Sequence, residues 1–414
     1  MSKLNELIEK YCPDGVEYNK LGDIGDFFSG LTGKSKEDFK DGNAKFITYR
    51  NIYSNPSLNL DINDKVRILD GEKQNIVRYG DVLFTGSSET PDECGMSSVV
   101  AVPTNECLYL NSFCFGLRLR NLEEYDLNFL KHLLRSHEVR SQIKQTASGV
   151  TRYNVSKKRF ANVCIPTPPL EVQIEIAHIL DQFSLLQAEL QAELQARQEQ
   201  YEYYRNKLLS FNQMGGAEWM TISDICSNIC SGGTPSTSNR EYYQGNIPWL
   251  RTQEVNWTDV YDTEIKISEA AVQNSSAKII PCNSVIVAMY GASAARVCIN
   301  KIPLTTNQAC CNLQVNEDIA DYKYVYYWLC REYENLKGLG EGCQSNISGK
   351  KIKSYKIPIP SLAEQKRIVS ILDKFYTLVS DLTHGLPAEI AAVQEQYAYY
   401  RNKLLSFPKH KLSA

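Results

Sequence analysis

A chain of 414 residues is long enough for two or three domains at roughly 100 to 200 residues each. Its 45 Lys and Arg against 48 Asp and Glu leave a formal net charge of -3, which excludes a polyelectrolyte-like binder while leaving local patches open. With 43% hydrophobic and 22% charged residues the chain is expected to fold throughout, and no apolar run reaches the roughly 18 residues of a membrane span.

The 13 cysteines are odd in number, and the start MSKLNELIEKY has no apolar signal core, so reduced thiols in the cytoplasm are expected rather than disulfides. No Cys-x-x-Cys pair exists. Cys226 and Cys230, and the adjacent Cys310 and Cys311, have no histidine at ligand spacing, so buried thiols are expected rather than a zinc site.

In chain order, residues 1–16 read as a helical segment and 17–165 as a mixed domain. Short strands are suggested by Lys45–Tyr49, Asp81–Phe84, Ser97–Val102 and Phe113–Leu119, with a helix over Leu127–Lys144. Residues 166–214 form a connector. From Leu170 to Phe211 apolar residues recur at helical spacing (Ile176, Ile179, Leu180, Phe183, Leu186, Leu190, Leu194, Tyr201, Tyr204, Leu208) with no Gly or Pro, which predicts one helix of about 40 residues and about 60 Å. A second mixed domain covers 215–358, with strands at Ile247–Leu250, Ser284–Val287, Arg296–Ile299 and Cys311–Val315 and a helix near Tyr322–Tyr333. Residues 359–407 form a second helical region, broken at Gly385-Leu386-Pro387, where Gly then Pro ends one helix and starts the next, and 408–414 are a tail.

The chain is internally duplicated. Ile165-Pro-Thr-Pro-Pro-Leu170 with Gln173, Ile176, Asp181 and Phe183 returns 192 residues later as Ile357-Pro-Ile-Pro-Ser-Leu362 with Gln365, Ile368, Asp373 and Phe375. The run Gln200-Tyr-Glu-Tyr-Tyr-Arg-Asn-Lys-Leu-Leu-Ser-Phe211 returns almost unchanged as Gln396-Tyr-Ala-Tyr-Tyr-Arg-Asn-Lys-Leu-Leu-Ser-Phe407. Fainter matches link Gly15-Val-Glu-Tyr18 to Gly216-Ala-Glu-Trp219 and Tyr153-Asn-Val-Ser156 to Ser345-Asn-Ile-Ser348. The plan is a variable domain, a near-identical connector, and both again. The fold class expected is α+β, two pseudo-repeated α/β domains separated by long helices that pack as an antiparallel pair.

These residues resemble the specificity (S) subunit of type I restriction-modification systems. The resemblance spans Gly15 to Phe407 and rests on the paired Ile-Pro-x-Pro-x-Leu-x-x-Gln segments, Gly342-x-x-x-Asn346-Ile-Ser348, Ser231-Gly-Gly-Thr-Pro235 with Ile247-Pro-Trp-Leu250, and the paired Gln-Tyr-x-Tyr-Tyr-Arg-Asn-Lys-Leu-Leu endings. It implies two target recognition domains (17–165 and 215–358) on a central and a C-terminal conserved helical region, each domain binding one half of a bipartite double-stranded DNA target. It implies a non-catalytic chain that scaffolds two modification subunits, which methylate adenine with S-adenosylmethionine, and restriction subunits that use ATP and Mg. No cofactor or metal is expected on this chain.

The residues agree that chemistry lies elsewhere. Phosphate-loop, dinucleotide-binding, nucleophile-elbow and amino-methyltransferase motifs are missing, and Glu264-Ile-Lys266 lacks a suitable upstream carboxylate for a metal-dependent nuclease. A scaffold that assembles partners without reading sequence is the alternative.

For DNA, a basic strip is expected at the end of each domain. The first has Lys131, Arg135, Arg140, Lys144, Arg152, Lys157, Lys158 and Arg159, and the second Lys350, Lys351, Lys353 and Lys356. Base reading needs side chains with fixed donors and acceptors. The candidates are Tyr49, Arg50, Asn51, Ser87, Ser88, Arg152, Tyr153 and Asn154 in the first domain, and Arg251, Thr252, Gln253, Tyr290, Arg296, Gln344, Ser345 and Asn346 in the second. Tyr201, Tyr203 and Tyr204 with Arg205, and Tyr397, Tyr399 and Tyr400 with Arg401, pair apolar rings with polar tips and are candidates for the partner interface. Finally, the tandem Leu186-Gln-Ala-Glu189, Leu190-Gln-Ala-Glu193, Leu194-Gln-Ala-Arg197 reads as a spacer.

Overall fold

The structure, a computed structural model, describes residues 3–211, 216–340, 346–381 and 384–410. It divides into two compact units. The first comprises the residues up to Gln191 together with those from Glu389 onward, and the second Ala192–Ala388.

In the first unit a four-stranded antiparallel sheet runs Gly25–Ser29, Cys114–Leu119, Val82–Thr85, Ser97–Val99. A second sheet pairs Ala44–Ile47 with Leu108–Leu110 in parallel, flanked by short antiparallel strands. The apolar run Val82–Thr85 is buried at every position, as expected of a strand covered on both faces.

The second unit repeats this plan. Cys226–Ser231, Cys310–Val315, Val285–Ala288 and Val297–Asn300 form the matching antiparallel order, extended by Asp259–Val260, and Ile247–Leu250 runs parallel to Thr305–Thr306.

The helix expected over Leu127–Lys144 is two helices, Leu127–Leu133 and His137–Thr146. Ser136 breaks the run by accepting from the Val139 N–H as an N-cap, so a new helix starts where periodicity alone would continue the old one. Near Tyr322 the second unit likewise has two pieces, Tyr322–Arg331 and Tyr333–Gly338.

Each unit is closed by a two-stranded ribbon leading into a helix: Glu17–Lys20 with Cys164–Thr167 in the first, Glu218–Thr221 with Lys356–Ile359 in the second. The central helix then runs unbroken over Leu170–Leu208, while the second copy is split into Leu362–Ser380 and Leu386–Leu404 around Gly385. Within the first unit Phe183 of the central helix stacks on Tyr400 of the last helix, and within the second Tyr204 of the central helix stacks on Phe375.

The duplicated glutamine explains its own motif. Gln173 is fully buried, donates to the carbonyls of Glu124 and Pro168 at 2.9 and 2.7 Å, and accepts from the Asp126 N–H at 2.9 Å. Gln365 makes the same three bonds, to Ile319 O, Pro360 O and Asp321 N at 3.2, 2.8 and 2.8 Å. Asp126 and Asp321 are the N-caps of the helices beginning at Leu127 and Tyr322, so each glutamine fixes a domain helix to its connector.

A duplicated aspartate adds a second tie. Asp181 accepts from Lys131 and His132, both at 2.7 Å, and Asp373 from Lys323 and Tyr327, both at 2.6 Å.

The chain's two ends meet in the first unit. Val16 N donates to Pro408 O at 3.0 Å, His410 N to Val16 O at 3.0 Å, and Tyr18 Oη to Phe407 O at 2.8 Å. Gly15 has φ +96° there, and an added Cβ would come within 2.4 Å of the Pro408 carbonyl oxygen.

Candidate nucleic-acid interface

In the first unit the sheet ends converge on a cleft of about 610 Å³. One wall is the short helix Tyr49–Ser54, started by Thr48, whose side chain accepts from the Asn51 N–H. Another is the strand Ser87–Ser88, paired in register with Tyr153–Asn154.

Five expected residues line this cleft: Tyr49, Arg50, Ser87, Ser88 and Arg152. Tyr49 donates to Ser87 O at 2.8 Å, and burial pushes its phenol up. Arg152 donates from Nε and Nη2 to Ser87 Oγ at 3.2 and 3.0 Å and lies over Phe113 at 5.0 Å, a ring that is 57% exposed. Tyr153 and Asn154 sit on the adjoining strand.

Asn51 is turned away from this role. Its amide donates to Asn59 O and its oxygen accepts from Asn59 N and Asn55 Nδ2, folding the loop that follows the helix.

The cleft also holds residues not expected from sequence: Tyr53, Glu89, Glu93, Asn111, Phe113 and Thr151. Tyr53 lies one helical turn after Tyr49 and its ring stacks on Tyr49 with centroids 6.2 Å apart, so reading Tyr49–Ser54 as a helix is the signal that finds it.

The basic strip is half structural. Arg135 donates to the carbonyls of Ile52, Tyr53 and Ser97, and Arg140 to those of Asp92, Cys94 and Gly95. Burial pushes both guanidinium groups down, Arg135 to about 10. Lys131 pairs with Asp181 and Lys144 with Asp92. That leaves Arg152, Lys157, Lys158 and Arg159 exposed, the last three on the short helix Lys157–Phe160 capped by Ser156. Lys157 Nζ lies 5.6 Å from the Phe115 ring centroid.

In the second unit the matching positions are more occupied. Arg251 is held by Glu254 at 3.4 Å and Glu264 at 2.5 Å, and the oxygen of Gln253, in the amide orientation that satisfies both its ends, accepts from the same guanidinium. Thr252 opens the turn Thr252–Glu254. Glu264 is thereby an ion-pair partner, as Lys266 is of Asp262 at 3.2 Å. Arg296 donates to Asn256 Oδ1 at 3.0 Å and lies over Trp257 at 4.7 Å, committed to the unit's own packing. Tyr290 is 43% exposed, and Asn346 is exposed, its oxygen accepting from the Gly291 N–H. Lys350 is exposed, whereas Lys351 donates to Leu339 O at 2.7 Å. Gln344 and Ser345 lie outside the described residues.

Six of the eight aromatic and arginine candidates for a partner surface, all but Tyr203 and Tyr399, are engaged within the chain. Tyr201 and Tyr397 pack against their units' cores with Arg205 and Arg401 over them at 5.5 and 5.2 Å, and Tyr204 and Tyr400 form the stacks already described. Tyr203 and Tyr399, one position from those stacked rings, face outward: each is 59% exposed and covered on one side by Lys207 or Lys403 at 5.6 Å.

Among the described residues no group of three or more His, Cys, Asp or Glu is placed to hold a metal, and no helix is long and apolar enough to cross a membrane.

Two α+β units of one plan, each tied to a connector helix by the same buried glutamine, make this a duplicated two-domain protein. A family model for the type I restriction modification DNA specificity domain matches residues 13–199 and again 214–392, and the chain belongs to that family. It is 42% identical over 265 residues to the specificity subunit of the Escherichia coli type I restriction enzyme EcoR124I/EcoR124II, a match spanning 62% of this chain and 65% of that relative. A putative type I specificity subunit of Mycoplasma pneumoniae, S.MpnORF507P, is 26% identical over 94% of this chain and 97% of its own length. Among solved structures, the S subunit of a type I system from M. genitalium covers 94% of this chain and 96% of its own at 16% identity and a TM-score of 0.54. A chain solved in work on complex assembly and conformational transition of the type I R-M system covers 97% of this chain and 99% of its own at 18% identity and a TM-score of 0.63. These structures share the fold.

Proposed function

We propose that this chain is the DNA sequence-specificity subunit of a type I restriction-modification complex, a non-catalytic protein in the cytoplasm whose two units each read one half of a bipartite double-stranded target. The observation that carries this reading is the polar cleft at Tyr49, Ser87 and Arg152 of the first unit, whose sheet-end position recurs at Arg251, Tyr290 and Asn346 of the second. Donor and acceptor side chains fixed on short elements at sheet ends suit base edges, and the exposed Lys157, Lys158, Arg159 and Lys350 suit phosphates. The modification subunits, two in number, dock near the outward rings of Tyr203 and Tyr399 and carry S-adenosylmethionine, while restriction subunits carry ATP and Mg.

In this reading the unbroken central helix sets the unread gap. Four residues of helix add about 6 Å against about 3.4 Å per base pair. Inserting one further Leu-Gln-Ala-Glu unit after Glu193 is expected to lengthen the gap by one or two base pairs and leave both half-sites unchanged, as read by sequencing methylated adenines in cells carrying the chain and its modification partner. Altered half-sites with an unchanged gap would sink the spacer role. Equal affinity of the assembled complex for specific and scrambled duplexes would replace sequence reading with scaffolding.

A further inference from the structure

Glu93 is out of place on a surface that faces a polyanion. It lines the cleft of the first unit, where its Oε1 accepts from the Tyr53 hydroxyl at 2.8 Å and its Oε2 from the Ser88 hydroxyl at 3.0 Å. Those bonds, Tyr53 first and then Ser88 and Thr90, hold the carboxyl below the usual carboxylate range, so it stays an acceptor-only anion. Each oxygen keeps a lone pair for another donor. A carboxylate repels phosphate, and in the major groove the donors open to it are the exocyclic amino groups of cytosine and adenine. Arg50, on the helix that carries Tyr53, lines the same cleft and makes no hydrogen bond or ion pair among the described residues. Its fork of donors matches the O6 and N7 acceptors of guanine. A fixed acceptor and an uncommitted donor fork in one cleft fit the two edges of a single C·G pair.

We propose that Glu93 is a specificity determinant of the first unit, selecting the cytosine of a C·G pair whose guanine is taken by Arg50. This rests on the DNA-reading function proposed above. Glu93→Gln keeps an acceptor for only one of the Tyr53 and Ser88 hydroxyls and puts an N–H donor in place of the other oxygen, so it should admit bases that present acceptors, thymine or guanine.

The test assembles the full chain with its modification partner and selects bound duplexes from a pool randomised in both half-sites, for wild type, E93Q and R50A. Wild type should select C·G at one position of one half-site. E93Q should accept thymine or guanine there about 10-fold better than wild type does, and R50A should lose preference at the same pair, each leaving the other half-site intact as evidence of folding. The proposal is overturned if both variants select the wild-type sequence, or if the relaxed pair is not C·G. Should E93Q not assemble, R50A decides alone, because no bond is lost with that side chain, and an unchanged selection by R50A overturns the proposal. A wild-type complex that selects no sequence at all would overturn the DNA-reading function itself.

Discussion

The two units share their mounting and differ in what is mounted. Gln173 and Gln365 make the same three hydrogen bonds, and Asp181 and Asp373 each tie a connector helix to a domain helix. At the sheet ends the likeness stops. The first unit opens a cleft with Arg50 uncommitted, while the second holds Arg251 between two glutamates and turns Arg296 onto Trp257. The lesson is one of division: polar atoms that must be satisfied inside are repeated, because a buried unpaired group costs too much to vary, and solvent-facing polar atoms are free to differ.

The strongest way to break this comparison is at the glutamines. Gln173→Ala strands one buried N–H and two carbonyls, and is expected to cost about 2–4 kcal/mol of stability. Gln365→Ala should cost the same in the second unit. Denaturant unfolding of the full chain measures both, and a loss below about 1 kcal/mol in either would show that the repeated bonds are not equivalent.

A smaller effect sharpens the contrast at the aspartates. His132 stands in the first unit where Tyr327 stands in the second, and its Nδ1 lies 2.8 Å from the Tyr397 hydroxyl. Burial pushes the His132 imidazole below its ordinary value, against the opposing pull of Asp181, so it is neutral in the fold: Nε2–H donates to Asp181 and Nδ1 accepts from Tyr397. Because the folded value is the lower one, the unfolded chain takes the proton first. The contribution to stability is complete above the unfolded value of about 6.5 and is lost as pH falls through it toward the folded value. Burial pushes the Asp181 carboxyl up, but hydrogen bonds from His132 and Lys131 and their charges bring it below its ordinary value, so its own contribution is lost only at more acid pH. His132→Tyr should make the first unit behave like the second. Between about pH 8 and about pH 5.5 the wild-type chain should lose Tm that the variant keeps. Equal losses in both would remove His132 as the cause.

The smallest effect is electrostatic. Lys157→Ala and Lys158→Ala should leave stability within about 0.5 kcal/mol, since neither side chain forms an ion pair among the described residues. Each should lower the slope of log affinity against log salt by about 0.9 and leave the selected sequence unchanged. A changed half-site would move these lysines from phosphate to base.

Much of the fold was legible. The long central helix followed from an apolar stripe without Gly or Pro, its broken copy from Gly385 before Pro387, and the strands from short runs such as Val82–Thr85. The run Leu127–Lys144 reads as one helix because its apolar spacing continues across Ser136, which is only mildly unfavourable in a helix, and only its cap on Val139 reveals the restart. Of the candidate site, Tyr49, Ser87, Ser88 and Arg152 are polar residues beside expected strands, and they line one cleft. Glu93 escaped because an acidic residue is counted against a DNA surface when charge is summed along the chain.

By itself the sequence determined the duplication, the connectors and the family likeness, since these rest on repeated identities and on periodicity that a chain carries locally. The tertiary structure decided which charges remain available. Arg135 and Arg140 look like Lys157 and Lys158 in one dimension, yet they meet backbone carbonyls 38 to 83 residues away and are spent inside. Whether a guanidinium faces DNA or a turn of its own chain depends on which carbonyls lack partners nearby, and only the folded backbone brings those together.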